Sequence, residues 1–277
     1  MSFISKTRSL FTLFKQAIKG DQQDYTSGSI DRAIILLSIP MILEMLMESL
    51  FAIVDVFYVS KLGVNAVATV GLTESMLTLV YSVAIGLSMG ATALVARRVG
   101  EKNISAASLT GMQAIYLALG ISILVSIGGI IYADELLRMM GAENDVIAQG
   151  VSYTKWIFGG NITIMLLFLI NAVFRGAGDA SLAMRSLLIS NSLNIVLDPL
   201  LIFGFWIIPA FGIEGAGIAT TIGRGIGVLY QLYHLIWGRG LIKISRKNFG
   251  FDFKFKLCDV TRKSKNALYN TVKTQRT

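Results

Sequence analysis

The stretch Ser190-Asn-Ser-Leu-Asn-Ile-Val-Leu-Asp-Pro-Leu-Leu-Ile-Phe203 decides how the rest of this chain is interpreted. It lies within a long apolar run, yet it carries two asparagines, the carboxylate of Asp198 and a proline directly after that carboxylate. Asn194 and Asp198 are four residues apart, so a helix places them on one face. A carboxylate costs about 2.5–3.5 kcal/mol in membrane hydrocarbon and usually marks an ion or substrate pathway. The stretch therefore predicts a functional site inside a membrane-spanning helix.

The composition indicates a membrane protein. The 277 residues are 54% hydrophobic and 15% charged, with a mean hydropathy of +0.65, whereas about a quarter of an ordinary soluble domain is charged. The formal net charge of +8 would suggest a nucleic-acid partner for a soluble chain. Here the basic residues cluster at the ends of apolar segments, as they do in membrane proteins. We therefore expect membrane lipid as a partner and no nucleic acid.

The residue types present disfavour several kinds of chemistry. Cys258 and His234 are the only cysteine and histidine, so no disulfide within the chain is expected, and neither is a thiolate cluster or a transition-metal site. No P-loop motif occurs, and no hydrolytic or redox constellation is present. The sequence therefore predicts neither an enzyme nor a bound cofactor. Any transport must be driven by an ion gradient or a partner.

The chain divides into three parts. Residues 1–30 carry apolar residues at helical spacing beside basic ones, which predicts an amphipathic segment on the cytoplasmic membrane face. Residues 240–277 are basic and then polar, which predicts a cytoplasmic tail. Between them, 31–239 predicts an all-α, polytopic membrane lobe of six transmembrane helices, each long enough to cross about 30 Å of hydrocarbon. We place them at 33–59, 67–95, 105–132, 147–173, 183–205 and 214–237.

The basic residues of the connections predict the orientation. They cluster between the second and third segments, between the fourth and fifth, and after the sixth: Arg97, Arg98, Lys102, Arg175, Arg185, Arg239, Lys243, Arg246 and Lys247. The opposite connections carry few, and none lies between Phe203 and Ile213. Because cytoplasmic loops are enriched in basic residues, we expect both termini in the cytoplasm. The predicted location is the cell (inner) membrane, crossed several times.

The acids within the apolar segments are the candidate site residues. Glu44, Glu48 and Asp55 lie within ~40° of one another on a helix, so we expect them to face a cavity or another protein surface rather than lipid. Asp55 and Asp198 both fall in the outer halves of their segments, and Thr220 lies at similar depth. Two acids close together in a low dielectric readily hold a proton between them. The group could exchange a proton, bind sodium with asparagine and threonine oxygens, or hold a cationic substrate.

A structural alternative also fits these residues. In it, Asp55 caps the end of its helix, and Asp198 pairs with Arg224 or with a backbone group. Arg224 lies too far from either end of its segment to reach water easily, which favours an ion pair. Two glycine pairs, Gly86-x-x-x-Gly90 and Gly223-x-x-x-Gly227, predict places where helices approach closely.

Several stretches, taken in order, resemble the multidrug and toxic compound extrusion (MATE) transporters. They are Ile39-Pro40 with Ile53-Val-Asp55, Gly86-Leu-Ser-Met-Gly-Ala91, Ala96-Arg-Arg-Val-Gly100, Asn171-Ala-Val-Phe-Arg-Gly-Ala-Gly-Asp179, Asn194-Ile-Val-Leu-Asp-Pro-Leu-Leu-Ile-Phe-Gly204 and Gly212-Ile-Glu-Gly-Ala-Gly-Ile-Ala-Thr220. Their order and spacing are similar to the amino-terminal six-helix lobe of that family. The resemblance implies an antiporter that exports organic cations or other amphipathic compounds against proton or sodium entry.

The resemblance also implies particular site residues. The proton- or sodium-binding cluster of the family corresponds to five positions here: Asp55, Asn171, Asn194, Asp198 and Thr220. Sodium is possible at Asp55, Asn194 and Asp198, and a count of depth places Asn171 nearer the inner end than the others. Tyr153 resembles a tyrosine that lines the cavity. Glu48 stands where relatives often carry glutamine, which would alter the choice of ion.

Length separates this chain from that family. MATE transporters have two six-helix lobes with the substrate path between them, and this chain has one. It therefore resembles a truncated or frameshifted product, or a half-transporter that needs a second lobe from the same type of chain or a separate one. A flippase for lipids or polysaccharide precursors is one alternative function, and a non-transporting remnant is another.

Overall fold

A computed structural model describes residues 14–18, 30–238 and 240–243, and the chain is almost entirely helical in these ranges. Residues 30–238 contain α1 (Ile30–Ser60), α2 (Val64–Gly100), α3 (Ile104–Ile131), α4 (Ala133–Met139), α5 (Asn144–Gly159), α6 (Asn161–Gly176), α7 (Ala180–Ile202) and α8 (Ile213–Trp237). The described residues form no strand beyond an isolated bridge between Phe205 and Ile208. The all-α fold predicted from the sequence is confirmed.

Five stretches are long and apolar enough to cross a membrane: Ile30–Ser60, Val64–Gly100, Ile104–Ile131, Asn144–Gly176 and Ala180–Ile202. The fourth of them consists of α5 and α6 together. The predicted sixth segment is also a helix, α8, which is 25 residues long but is not among the five. The chain is thus a helical membrane protein. The count of six spans and the cytoplasmic location of the termini stay predictions.

The predicted fourth segment, 147–173, is interrupted in the structure. The helix is broken at Gly160. Its carbonyl oxygen accepts a hydrogen bond of 2.9 Å from the amide of Thr163, three residues further on. A Cβ at Gly160 would collide with the side chain of Thr221 on α8. Glycine therefore lets α8 approach the junction between α5 and α6.

The predicted fifth segment, 183–205, extends beyond the end of the observed helix. α7 ends at Ile202, and 203–212 forms a loop in which Phe205 and Ile208 exchange backbone hydrogen bonds of 3.0 and 2.9 Å. Gly204 has a φ of +75°, and a Cβ there would lie 2.9 Å from the carbonyl oxygen of Ile208. This turn needs glycine for both reasons. The short helix α4 lies in a region that the sequence predicted to be loop.

The predicted end segments, 1–30 and 240–277, fall mostly outside the described residues. The described part of the first, 14–18, is helical and lies against the end of the lobe at which α1 and α7 begin. Arg32 Nη2 donates to Gln16 Oε1 at 3.2 Å, and Arg185 Nη2 donates to the carbonyl of Ile18 at 2.9 Å. The end of the lobe at which these contacts lie is called the inner end.

Close helix packing at glycine occurs at one of the two predicted pairs. A Cβ at Gly223 would lie 2.9 Å from the carbonyl oxygen of Ser190 on α7, and one at Gly227 would lie 3.0 Å from the Cβ of Ser190. The predicted approach of α8 to α7 is confirmed. Gly86 and Gly90 of α2 have no atom of the described chain in the corresponding space. The predicted helix contact at these two glycines is therefore wrong for the described residues.

Candidate functional site

Polar side chains of α1, α7 and α8 meet at three depths. α1 and α7 run away from the inner end, and α8 returns toward it. Along α1, Glu44, Glu48 and Asp55 span eleven residues, or roughly 16 Å at the rise of an α-helix. The inner layer surrounds Glu44, the middle layer surrounds Glu48, and the outer layer contains Asp55. The stripe of acids predicted on this helix thus faces protein at each depth.

The inner layer is a buried network around the carboxylate of Glu44. Arg175 Nη1 donates to Glu44 Oε1 at 2.9 Å, and Asn171 Nδ2 donates to the same oxygen at 3.4 Å. Asn171 Oδ1 accepts from Ser186 Oγ at 3.0 Å and from Gln231 Nε2 at 2.6 Å. The network joins α1, α6, α7 and α8. Its anion and cation neutralise each other, although Gln231 Oε1 has no hydrogen-bond partner among the described residues.

The middle layer is a second ion pair. Arg224 Nη2 donates to Glu48 Oε1 at 3.3 Å, and Asn191 Nδ2 donates to Glu48 Oε2 at 3.0 Å. The guanidinium carbon lies 5.6 Å from the centre of the Phe51 ring, and the guanidinium lies beside the side chain of Tyr81. The ion pair predicted for Arg224 is confirmed. Its partner is Glu48, so the alternative pairing of Arg224 with Asp198 is wrong.

The outer layer contains two carboxylates and no basic side chain among the described residues. One orientation of the Asn194 amide satisfies its surroundings: its nitrogen donates to Asp198 Oδ2 at 2.9 Å, and its oxygen accepts from Thr220 Oγ1 at 3.1 Å and Thr220 N at 3.0 Å. Asp198 is fully buried. Asp198 Oδ1 and Asp55 Oδ1 are both buried without a hydrogen-bond partner in the described chain. The two carboxylates are close enough to interact electrostatically.

This arrangement suits a small cation with a preference for oxygen. A buried carboxylate oxygen without a partner is costly, and a proton or a metal cation removes that cost. Pro199 follows Asp198 inside α7 and has no N–H to donate to the carbonyl of Ile195, one turn earlier. The hydroxyl of Thr220 adds a neutral oxygen beside Asn194, the residue that donates to Asp198. The outer layer can therefore take up a proton or coordinate sodium.

The structure brings together most of the predicted ion-binding residues. Asp55, Asn194, Asp198 and Thr220 lie in the outer layer. Asn171 does not reach them, because it lies in the inner layer against Glu44. Its position agrees with the depth that the sequence indicated for it.

Two further predicted residues border the same region. Glu48 is tied into the middle layer. Tyr153 of α5 is 2% exposed and lies within electrostatic reach of both outer carboxylates. Asp55 does not cap its helix, because α1 continues to Ser60. The structural alternative therefore fails for this residue.

The sequence interpretation missed Ser186 and Gln231, and it did not pair Glu44 with Arg175. A signal for α8 was nevertheless present. Thr220, Arg224 and Gln231 lie at offsets of four and eleven residues, which are also the offsets of the three acids on α1. Because the two helices run in opposite directions, the residues of α8 occupy the layers in reverse order along the chain, with Thr220 in the outer, Arg224 in the middle and Gln231 in the inner layer.

A family model described as MatE matches residues 40–200, which include all of the outer-layer residues except Thr220. The chain belongs to the MatE family. Members of this family are transporters rather than enzymes, so this multi-pass membrane chain is not an enzyme. The resemblance inferred from the sequence motifs is confirmed.

The names of curated relatives of this MatE chain refer to transport, multidrug resistance and export. It is 27% identical over 216 residues to the FAD transporter of Shewanella oneidensis, covering 78% of this chain and 48% of that protein. It is 28% identical over 218 residues to the probable multidrug resistance protein NorM of Thermotoga maritima, covering 78% and 46%. It is 23% identical over 232 residues to the multidrug export protein MepA of Staphylococcus aureus, covering 83% and 51%. The chain spans about half the length of the curated relatives it matches.

Solved structures agree with this coverage. A transporter of the MOP superfamily from Pyrococcus furiosus is 28% identical, with a TM-score of 0.76, and the match covers 84% of this chain and 52% of that one. A MATE protein in complex with MaL6 is 30% identical, with a TM-score of 0.76, and covers 82% and 50%. The described lobe therefore has the fold of about half of a MATE transporter.

Proposed function

We propose that this chain is one lobe of a secondary active exporter in the cell inner membrane. In this proposal, entry of protons or sodium through the outer layer drives the export of organic cations by antiport. The observation that supports it most is the pair of buried oxygens, Asp55 Oδ1 and Asp198 Oδ1, that have no partner in the described chain. No bound cofactor is needed, because the coupling ion supplies the energy.

The unpartnered oxygens supply a physical basis for coupling. Without a bound cation, the carboxylates of Asp55 and Asp198 repel each other in the outer layer, and this repulsion favours any rearrangement that separates them or admits water. A bound proton or sodium ion removes that repulsion. The ion therefore favours one arrangement of α1 and α7 over another. By linkage, a substrate that prefers the other arrangement weakens ion binding by the same factor.

The balance of charge around the layers favours a cationic substrate. Four carboxylates on three helices, Asp55, Asp198, Glu48 and Glu74, interact electrostatically with one another or with Arg224. Arg224 neutralises one of them. A region that carries excess negative charge between low-dielectric walls concentrates cations.

A second lobe completes the proposed transporter. The chain spans about half of each relative, and the face of α2 that carries Gly86 and Gly90 has no neighbour among the described residues. We expect the second lobe to be another chain of this type or a separate one, and we expect no export from a solitary lobe.

Efflux measured in cells without their own pumps tests the proposal. The chain and its Asp198→Asn variant are expressed alone and together with the carboxyl-terminal lobe of a MATE relative, and ethidium export is followed by fluorescence. We expect export from the wild type only when both lobes are present, and none from the variant. Robust export by a demonstrably monomeric wild-type chain contradicts the need for a second lobe. Full export by the Asp198→Asn pair contradicts coupling through the outer layer.

A further inference from the structure

Glu74 is an acid that belongs to none of the three layers. It lies ten residues from the Val64 end of α2, or roughly 15 Å along the helix, and its side chain is exposed. No hydrogen bond or ion pair of its carboxylate is formed with the described residues, although it interacts electrostatically with Arg224 and Glu48. A carboxylate this deep in a membrane-spanning helix cannot face hydrocarbon. The face of α2 that carries Glu74 therefore borders water, a bound molecule or the second lobe.

The hydroxyl side chains near Glu74 on this face are uncharged. Ser75, Thr78 and Ser82 are exposed, and each hydroxyl donates to the backbone carbonyl four residues earlier, at 2.7, 3.0 and 2.8 Å. Hydroxyls satisfied in this way do not hold a polar ligand strongly. Glu74 is consequently the dominant polar group on this part of the helix surface.

An aromatic pair lies two helical turns from Glu74. Tyr81 follows Glu74 by two helical turns on the same face, and its ring lies 6.1 Å from that of Phe168 on α6 at a tilt of 58°. Aromatic faces attract organic cations and stack on flat apolar groups. A carboxylate and two rings form the combination that recognises a cation whose charge is carried on an apolar, aromatic framework.

Arg224 adjoins both this subsite and the ion-binding residues. Its guanidinium is buried, pairs with Glu48, lies beside Tyr81 and attracts the carboxylates of both Glu74 and Asp55. Glu48 is occupied by this pairing, whereas Glu74 has no ion-pair partner in the described chain. A cationic substrate thus gains more from Glu74 than from Glu48.

We propose that Glu74, with Tyr81 and Phe168, is the subsite of this lobe that binds the organic cation, and that its ligand is a monovalent amphipathic cation with an aromatic framework. This inference rests on the proposed export of organic cations and assigns the substrate contact to residues outside the outer layer. In this proposal the substrate contacts Glu74, whereas the coupling ion contacts Asp55 and Asp198.

Equilibrium binding of tetraphenylphosphonium to the purified 277-residue chain in lipid nanodiscs tests the subsite. We expect Glu74→Gln to weaken binding about tenfold, which corresponds to about 1.4 kcal/mol, and Phe168→Leu to weaken it roughly threefold. Triphenylphosphine oxide, an uncharged analogue, is expected to bind the wild type and Glu74→Gln equally. Glu135→Gln, at an exposed acid of α4, serves as the matched control and is expected to bind like the wild type.

Ion binding measured on the same samples separates this inference from the proposed function. We expect Glu74→Gln to retain the coupling ion, with an affinity changed by the loss of a charge that acts on Asp55. We expect Asp198→Asn to lose the ion while retaining tetraphenylphosphonium. Unchanged tetraphenylphosphonium binding by Glu74→Gln, or no binding by the wild type, overturns the assignment of Glu74 even when ion binding is intact. If neither variant loses ion binding, the proposed function is contradicted instead.

Discussion

The inner and outer layers are built from similar residues but are completed differently. Each contains an acid from α1 and polar side chains from α7 and α8. In the inner layer, Glu44 has Arg175 at 2.9 Å and Asn171 beside it. In the outer layer, two acids share the space without a basic residue in the described chain, and each leaves a buried oxygen unpartnered.

The difference indicates how one helix can serve two purposes. A buried acid with a basic partner holds helices together, because breaking the pair leaves a bare charge in a low-dielectric site. A buried acid without such a partner is stabilised when a cation binds to it. We therefore interpret the inner layer as the fixed end of α1 and the outer layer as the part that responds to an ion.

The largest effect on stability is expected from breaking the inner pair. Arg175→Gln leaves the Glu44 carboxylate buried with only Asn171, so we expect the free energy of unfolding to fall by about 3 kcal/mol. Unfolding in mixed detergent micelles measures the change. The double variant Glu44→Gln/Arg175→Gln should recover most of the loss, since both charges are then removed. Equal losses in the single and double variants would show that the pair does not act as a unit.

A smaller effect is expected where α8 meets α7 at the outer layer. A Cβ at Gly223 would lie 2.9 Å from the carbonyl oxygen of Ser190 and 3.2 Å from the Cβ of Asn194. Gly223→Ala should therefore cost about 1–3 kcal/mol through overpacking and weaken ion binding. Gly86→Ala is the matched control, because its Cβ enters open space. We expect it to preserve or slightly raise stability, since alanine favours helix by about 1 kcal/mol.

A change of opposite sign is expected at the outer acid. Asp198→Asn removes a buried charge, so it should raise the free energy of unfolding by about 1 kcal/mol at high pH without sodium. The same unfolding measurement in detergent, repeated with sodium, should show that sodium stabilises the wild type but not the variant. A strong loss of stability in Asp198→Asn would instead assign the residue a structural role like that of Glu44.

The smallest effect is expected at an exposed ion pair. Glu101 accepts from Arg97 and Arg98 at 3.0 Å each, and these hydrogen bonds hold the pKa of Glu101 below its usual range. The contribution of such a pair is present above the usual glutamate pKa and is lost as the pH falls through the lower folded value. Because solvent screens exposed pairs, Glu101→Gln should leave the thermal unfolding temperature at neutral pH unchanged. A large shift would undermine the distinction between buried and exposed pairs.

Periodicity predicted much of this site because its residues repeat along single helices. The stripe on α1 correctly indicated that its acids face other parts of the protein, and the spacing of Asn194 and Asp198 correctly placed them on one face. Side-chain contacts between helices could not be predicted from the spacing of residues along one helix. Arg224 pairs with Glu48 rather than Asp198 because it packs at the depth of Glu48 and Asn191, whereas Asp198 lies at the depth of Asn194 and Thr220. Gly86 and Gly90 resemble a contact motif, yet they lie on a face that the described chain leaves open.

The most direct test of the responsive outer layer is an infrared difference spectrum of the purified chain between low and high pH, recorded with and without sodium. The interpretation predicts a band from a buried protonated carboxyl in the wild type that sodium diminishes and that Asp198→Asn abolishes. Glu44→Gln, at the paired acid of the inner layer, should leave the band in place. A band that survives Asp198→Asn and Asp55→Asn, or one that only Glu44→Gln removes, would contradict the central claim.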